Sequence, residues 1–194
     1  LYNRDGTEYR GKGVKVKKDG TIKLKGFLKN TVNALNSINS TVSGENLLNI
    51  LENSSKTTRI KEYSSNQNIG LTVNFASGVF GNGGLDEEGN NTRPSFISLA
   101  HELYHVKDNL LGTANYGIWF KTPENRVVYA AEIVASNFEN RIRAENGIPL
   151  RTYYSTTQYE PAKLLNGKTA IYPTIERQIT PIAQIGLKQI NSIK

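Results

Sequence analysis

The chain has 194 residues, with 24 Lys+Arg against 17 Asp+Glu and a formal net charge of +7. That length accommodates one domain with a hydrophobic core. The absence of cysteine excludes a disulfide framework and any thiolate-held zinc. No stretch is long and apolar enough to cross a membrane as a helix, and no secretory signal stands at the N-terminus. A start at Leu1 and a complete lack of methionine lead us to expect a processed product or the C-terminal piece of something longer.

Residues 1–25 alternate polar and apolar side chains around Gly6, Gly11, Gly13 and Gly20. Asp19-Gly20, between Val14-Lys15-Val16 and Thr21-Ile22-Lys23-Leu24, predicts a β-hairpin. We expect residues 1–25 to form a hairpin or junction segment and residues 26–194 to form the domain proper. Lys12, Lys15, Lys17, Lys18, Lys23, Lys25 and Lys29 concentrate positive charge here. Such a run could bind nucleic acid or an acidic surface, but lysines on strand edges more often remain solvated and block unwanted pairing. No aromatic residue falls between Lys12 and Lys25, which counts against base stacking.

Phe27, Leu28, Val32, Leu35 and Ile38 recur at helical spacing over residues 27–39. Ser43 is placed to cap a second helix, with Leu47, Leu48, Ile50 and Leu51 as its apolar face. Residues 59–63 and 69–75 read as strands. Residues 78–91 are rich in glycine and asparagine and read as a loop, either a plain connector or the border of a cleft.

The next helix carries the chemistry. Phe96, Leu99, Leu103, Val106 and Leu110 form its apolar stripe; Pro94 suits its first turn and Gly112 its end. Off that stripe lie His101, Glu102 and His105, an H-E-x-x-H motif containing both histidines of the chain. Residues four apart share a helix face, so both imidazoles can reach one metal ion, and Glu102 can reach a water bound to it. Zinc favours such nitrogen and carboxylate ligands, and a catalytic site leaves one position open. The motif therefore reads as a zinc-dependent peptidase. The bland alternative is a fortuitous pair of solvated histidines, and Lys107 falls where such helices usually carry an apolar residue.

An irregular stretch runs from Gly112 through Trp119. Pro123 then opens a predicted helix over roughly residues 124–146, closed by Gly147 with Pro149 behind it. Short β-like runs such as Thr169-Ala170-Ile171-Tyr172 and a final amphipathic stretch complete the chain.

Two histidines need a third protein ligand, and with no other histidine or cysteine it must be Asp or Glu. Asp108 shares the motif helix but lies about 10 Å along the axis from His101. A straight helix aims it past the metal, so we expect it to support the site or lie on the surface. Glu132 and Glu139, seven residues apart on the later helix, are better placed. Ala130, Ala131 and Ala135 would let that helix approach closely, while Glu124 and Glu145 read as end caps or solvated charges.

The later run Glu139-Asn140-Arg141-Ile142-Arg143-Ala144-Glu145, with Gly147-Ile148-Pro149-Leu150-Arg151-Thr152-Tyr153-Tyr154 behind it, follows Glu132-Ile133, Ala135 and the helix Ala100-His101-Glu102-Leu103-Tyr104-His105. Together these resemble the M91 peptidase family, which contains NleD-like bacterial effector metalloproteases and toxin domains at the C-terminal ends of large Rhs-repeat proteins. The resemblance covers roughly residues 45–155. Gly44-Glu45-Asn46-Leu47-Leu48 resembles the family's N-terminal part, and Leu1-Tyr2-Asn3-Arg4-Asp5-Gly6-Thr7 resembles an Rhs junction.

The resemblance implies an α+β, zincin-like single domain with an HExxH active-site helix, a second ligand-bearing helix and a small β-sheet. It implies Zn²⁺ held by His101, His105 and a glutamate of the later helix, for which we take Glu132 ahead of Glu139, with Glu102 as catalytic base. The oxyanion of hydrolysis needs a further donor. Tyr153, Tyr154, Arg143 and Arg151 are candidates, and Tyr154 is taken as the catalytic one. Asn140 and Arg143 are expected to orient the ligands. The expected partners are a protein substrate in a target cell, a larger Rhs-type delivery protein and a cognate immunity or inhibitor protein, not nucleic acid. The competing reading is a non-catalytic toxin module that binds a nucleic acid or a surface.

Overall fold

The computed structural model describes residues 13–78 and 81–164. The Rhs-like junction residues, the β-like run at 169–172 and the terminal amphipathic stretch lie outside them. The fold of the described residues is α+β, four helices with small sheets.

The hairpin forms as predicted, from β1 (Val14–Val16) and β2 (Ile22–Leu24), with Gly20 turning at φ +79°. Its lysines are exposed, including Lys15, Lys17, Lys18 and Lys23. Helix α1 (Gly26–Asn39) buries Ala34 and Ile38. Helix α2 (Val42–Glu52) buries Leu47 and Leu51 but leaves Ile50 exposed. Its cap is Thr41, not Ser43: the Thr41 hydroxyl accepts the Gly44 N–H at 3.1 Å. Ser43 is the second residue of the helix and donates its N–H to Glu145. Glu145, exposed at the end of α4, therefore caps the first turn of α2 and bridges the two helices.

The strand predicted over 69–75 is two strands. Gly70, at φ +58°, turns the chain between β4 (Gln67–Ile69) and β5 (Thr72–Phe75). With β3 (Arg59–Glu62) they form a sheet of order β3-β5-β4 in which β3 runs parallel to β5 and β4 is an edge. The glycine-rich segment is not a plain connector either. It contains β6 (Gly81–Asn82), paired with β7 (Thr92–Arg93), and a bridge from Asp86 to Arg151.

Helix α3 (Ser95–Leu111) is the hub, packed against α1, α2, β4 and β5. Pro94 stands just before its first turn, and Gly112 ends it at φ +66°, a left-handed C-cap that glycine adopts without strain. Leu99, Leu103 and Val106 enter one core with Ile38, Leu47, Val73 and Phe75.

The second long helix is shorter than its pattern suggested. Residues 124–130 instead belong to a hairpin of β8 (Ile118–Lys121) and β9 (Val127–Tyr129), turned at Asn125 with φ +62°. Val127, Val128 and Tyr129 are β-branched or aromatic and favour a strand, which overrides the helical start signal at Pro123. Helix α4 (Ala131–Glu145) follows, packs on α3, and buries Ala131 and Ala135 completely or nearly so. Glu124 is an exposed turn residue, not a helix cap.

Candidate metal centre and cleft

The H-E-x-x-H residues occupy the middle of α3, where the helix touches both the sheet and α4. The 4-residue spacing sets both imidazoles side by side, their Nε2 atoms 3.2 Å apart. Glu132, in the first turn of α4, meets both: Oε2 lies 3.0 Å from His101 Nε2, and Oε1 lies 3.3 Å from His105 Nε2. Ligand atoms about 2.0–2.1 Å from a tetrahedral ion are roughly 3.3 Å apart, so these separations suit one metal ion. Among the described residues, His101, His105 and Glu132 are the one group of three such side chains able to converge on an ion.

The converging faces lie in a cleft of about 920 Å³. Glu102 and Tyr154 both line it. Edge strand β4, with residues 64–66 before it, forms one wall, and Tyr116 and Tyr129 stand on another as an edge-to-face pair. Asn109 braces both sides, donating to Asn68 Oδ1 and accepting from the Tyr116 hydroxyl.

Behind His101 the chemistry is different. Its Nδ1 stands 3.4 Å from Glu139 Oε2, a long contact without a well-formed hydrogen bond. Glu139 is completely buried, and three guanidinium groups hold it: Arg93 at 2.7 Å, Arg151 at 3.0 Å and Arg143, one turn along α4, at 3.0 Å. Burial alone would raise the Glu139 pKa, but the charges of Arg93 and Arg151 hold it well below the usual carboxylate range. Arg151 is locked further. Asn140 grips its backbone from both sides, and its side chain donates to the carbonyls of Tyr153 and Tyr154.

Burial and the Arg93 charge work to lower the His101 pKa, yet its contacts with Glu132 and Glu139 outweigh them and the net direction is up. Burial likewise opposes ionisation of Glu132, but its bonds to His101 and His105 bring its pKa far down. Tyr154 is pushed up by burial first and then by the neighbouring charge of Glu132, so its hydroxyl keeps its proton at neutral pH.

The remaining expected residues fall elsewhere. Asp108 is neither a surface residue nor part of the cluster. It is buried and accepts the Thr113 hydroxyl at 2.9 Å, fastening the end of α3. Tyr153 points to Glu160, and Arg143 is buried away from the cleft, bonded to Glu139 and the Pro149 carbonyl. Arg151 lines the cleft but has its donors engaged. Lys107 lies over the Tyr104 ring at 4.0 Å, so its stem and charge cover an aromatic face where an aliphatic side chain would otherwise sit.

Sequence reasoning missed Arg93, Ser98 and the cleft walls. The two adjacent glycines, Gly83 and Gly84, were the available signal. A Cβ on Gly84 would stand 1.7 Å from the Tyr153 carbonyl oxygen and 2.6 Å from Arg151 Nε, so only glycine allows this strip to press on the arginine cluster.

The α+β domain thus sets the two histidines of α3 against a carboxylate from α4 in one cleft, a group of side chains that could hold a metal ion. Comparison with protein families matches residues 16–154 to the peptidase M91 family, described as an effector protein. That span is well over half of the chain, and the chain belongs to this family. Neither a curated protein nor a solved structure matches the chain.

Proposed function

We propose that this protein is a zinc-dependent endopeptidase of zincin-like build, acting as an effector or toxin domain on a protein of a target cell. The convergence of His101, His105 and Glu132 at ion-binding distances carries the reading. A zinc ion held there would lower the pKa of a bound water and polarise the scissile carbonyl. Glu102 follows His101 and lines the same cleft, so its carboxylate is placed to serve as general base, and would take a proton from water there and return it to the leaving amine. Tyr154, kept protonated by its surroundings, donates a hydrogen bond to the developing oxyanion. Glu139, fixed by its arginines, holds the His101 ring from behind, as carboxylates commonly do for metal-binding histidines.

The cleft beside β4, an edge strand among the described residues, suits an extended polypeptide better than a small molecule. Membership of an effector family supports delivery into another cell. The resemblance to Rhs-associated domains extends that to a larger delivery protein and a cognate immunity protein. We take residues 1–25 as a junction segment and residues 26–194 as the peptidase domain, a reading that the exposure of the β1–β2 hairpin supports, although the family match begins within that hairpin at residue 16.

The test is proteolysis with new termini mapped. Zinc-loaded protein, incubated with a target-cell proteome, is expected to create a small set of new protein termini. Glutamine at 102 keeps the shape but cannot accept the proton, so Glu102→Gln should retain the metal and lose at least about 10²-fold in rate. Equal cleavage by that variant would remove Glu102 from the mechanism; no cleavage by the unaltered protein on any proteome would remove the peptidase reading.

A further inference from the structure

The arginine cluster carries more positive charge than supporting Glu139 requires. Three guanidinium groups share one carboxylate, in a region where an uncompensated charge is costly. Two of the three are largely engaged elsewhere. Arg143 also donates to the Pro149 carbonyl, and Arg151 to Ser136 and to the carbonyls of Tyr153 and Tyr154. Arg93 differs. Its hydrogen bond is the one from Nη2 to Glu139, and its Nε is buried with no partner among the described residues. Arg93 nevertheless lines the cleft beside His101.

A second orphan belongs to the same cleft lining. Ser98 also lines the cleft, is fully buried, and its Oγ has no partner among the described residues. The Ser98 N–H bonds to the Pro94 carbonyl at 3.1 Å, so Ser98 stands in the first turn of α3, into which β7 leads from Arg93. A guanidinium N–H and a hydroxyl, both buried and unspent on residues that line the cleft, are complementary to one negatively charged oxygen group.

We propose that Arg93 and Ser98 form an anion subsite that receives a negatively charged side chain of the substrate, close to the bond that is cut. This rests on the peptidase reading above and narrows it to peptides with an acidic or phosphorylated residue at one fixed position. Arg93 is thereby a specificity residue as well as a support for Glu139.

Two readouts test it with the full chain. In the first, the zinc-loaded protein digests a peptide mixture prepared from a whole proteome, with and without prior phosphatase treatment. Acidic residues are expected to be enriched at one position flanking the cut. Enrichment that survives phosphatase identifies Asp or Glu, and enrichment that it removes identifies a phosphorylated residue. Arg93→Lys keeps a charge for Glu139 but loses the fork, and is expected to cleave with that preference reduced at least about tenfold, the scale of one charge-assisted hydrogen bond. Cleavage with no acidic preference, or the same preference in Arg93→Lys, overturns the proposal.

In the second readout, inorganic phosphate is titrated into metal-free protein at constant ionic strength, and the imidazole NMR signals of the two histidines are followed. A saturable shift of the His101 signals is expected, weakened at least about tenfold in Arg93→Lys and weakened in Ser98→Ala. If Arg93→Lys does not fold, Ser98→Ala decides, and unchanged affinity together with unchanged preference overturns the subsite. Arg93-dependent phosphate binding with no cleavage of any peptide would instead remove the peptidase reading and leave an anion site without a substrate role. No saturable shift in the unaltered protein overturns the site itself.

Discussion

Glu132 and Glu139 sit seven residues apart on one face of α4 and meet opposite surroundings. Glu132, in the first turn, keeps a quarter of its side chain exposed and faces two imidazoles across the cleft. Glu139, two turns further on, is fully buried among Arg93, Arg143 and Arg151. The lesson is that a shared helix face does not mean a shared role. Glu132 opens on the cleft, where with the two imidazoles it could hold an ion, whereas Glu139 is closed in by three guanidinium groups.

Three perturbations sharpen that contrast. The largest effect is expected on the exposed side. Tyr154→Phe removes the proton that faces Glu132, and turnover should fall about 10²–10³-fold, the scale for losing one oxyanion donor, with metal content unchanged. Steady-state kinetics on a mapped substrate measures it, and a change of less than threefold would assign Tyr154 to packing on Phe120 and Arg151 alone. On the buried side, Glu139→Gln leaves three guanidinium groups without their counter-charge. Denaturant unfolding should show a loss of about 3–5 kcal/mol, and metal affinity should fall roughly 10–100-fold while stoichiometry survives. An unfolding midpoint close to that of the unaltered protein would contradict the clamp.

The smallest effect concerns pH. The His101 pKa is raised in the metal-free protein, so its protonated form contributes stability that is fully present below the unfolded value near 6.5 and is lost as pH rises through the folded value. Glu132 has the opposite sign: its contribution is present above about 4.5 and is lost as pH falls through its depressed folded value. The two together favour the metal-free fold between those limits. Because a metal must displace the His101 proton, zinc affinity should weaken steadily as pH falls below the raised His101 value. Competition titrations at several pH values check this, and an affinity independent of pH between 5 and 8 would contradict it.

How much was legible beforehand follows from where the information lies in the chain. The α3 hub was readable because its apolar stripe, its terminal Gly112 and its paired histidines are all local signals at helical spacing. The convergence of Glu132 with His101 and His105 is long-range. The family resemblance implied only a glutamate of the later helix; the apolar neighbours Ile133, Val134 and Ala135 put Glu132 ahead of Glu139, and the structure now sets their surroundings apart. The hairpin at residues 118–129 was lost to a helical start signal because Pro123 and Glu124 fit a helix N-terminus as well as a turn. Ser43 was mistaken for a cap because Thr41, two residues earlier, satisfies the same donor rule. Arg93 gave no periodic signal at all: its importance arises from Glu139, 46 residues away.

The central claim is that His101, His105 and Glu132 hold one metal ion. Elemental analysis of unaltered protein, Glu132→Ala and Asp108→Ala, each prepared without chelator and re-equilibrated with zinc, tests it most directly. One zinc per chain is expected in the unaltered protein and in Asp108→Ala, with stoichiometric zinc lost from a folded Glu132→Ala. Full zinc occupancy in Glu132→Ala, or none in the unaltered protein after zinc addition, would contradict the claim.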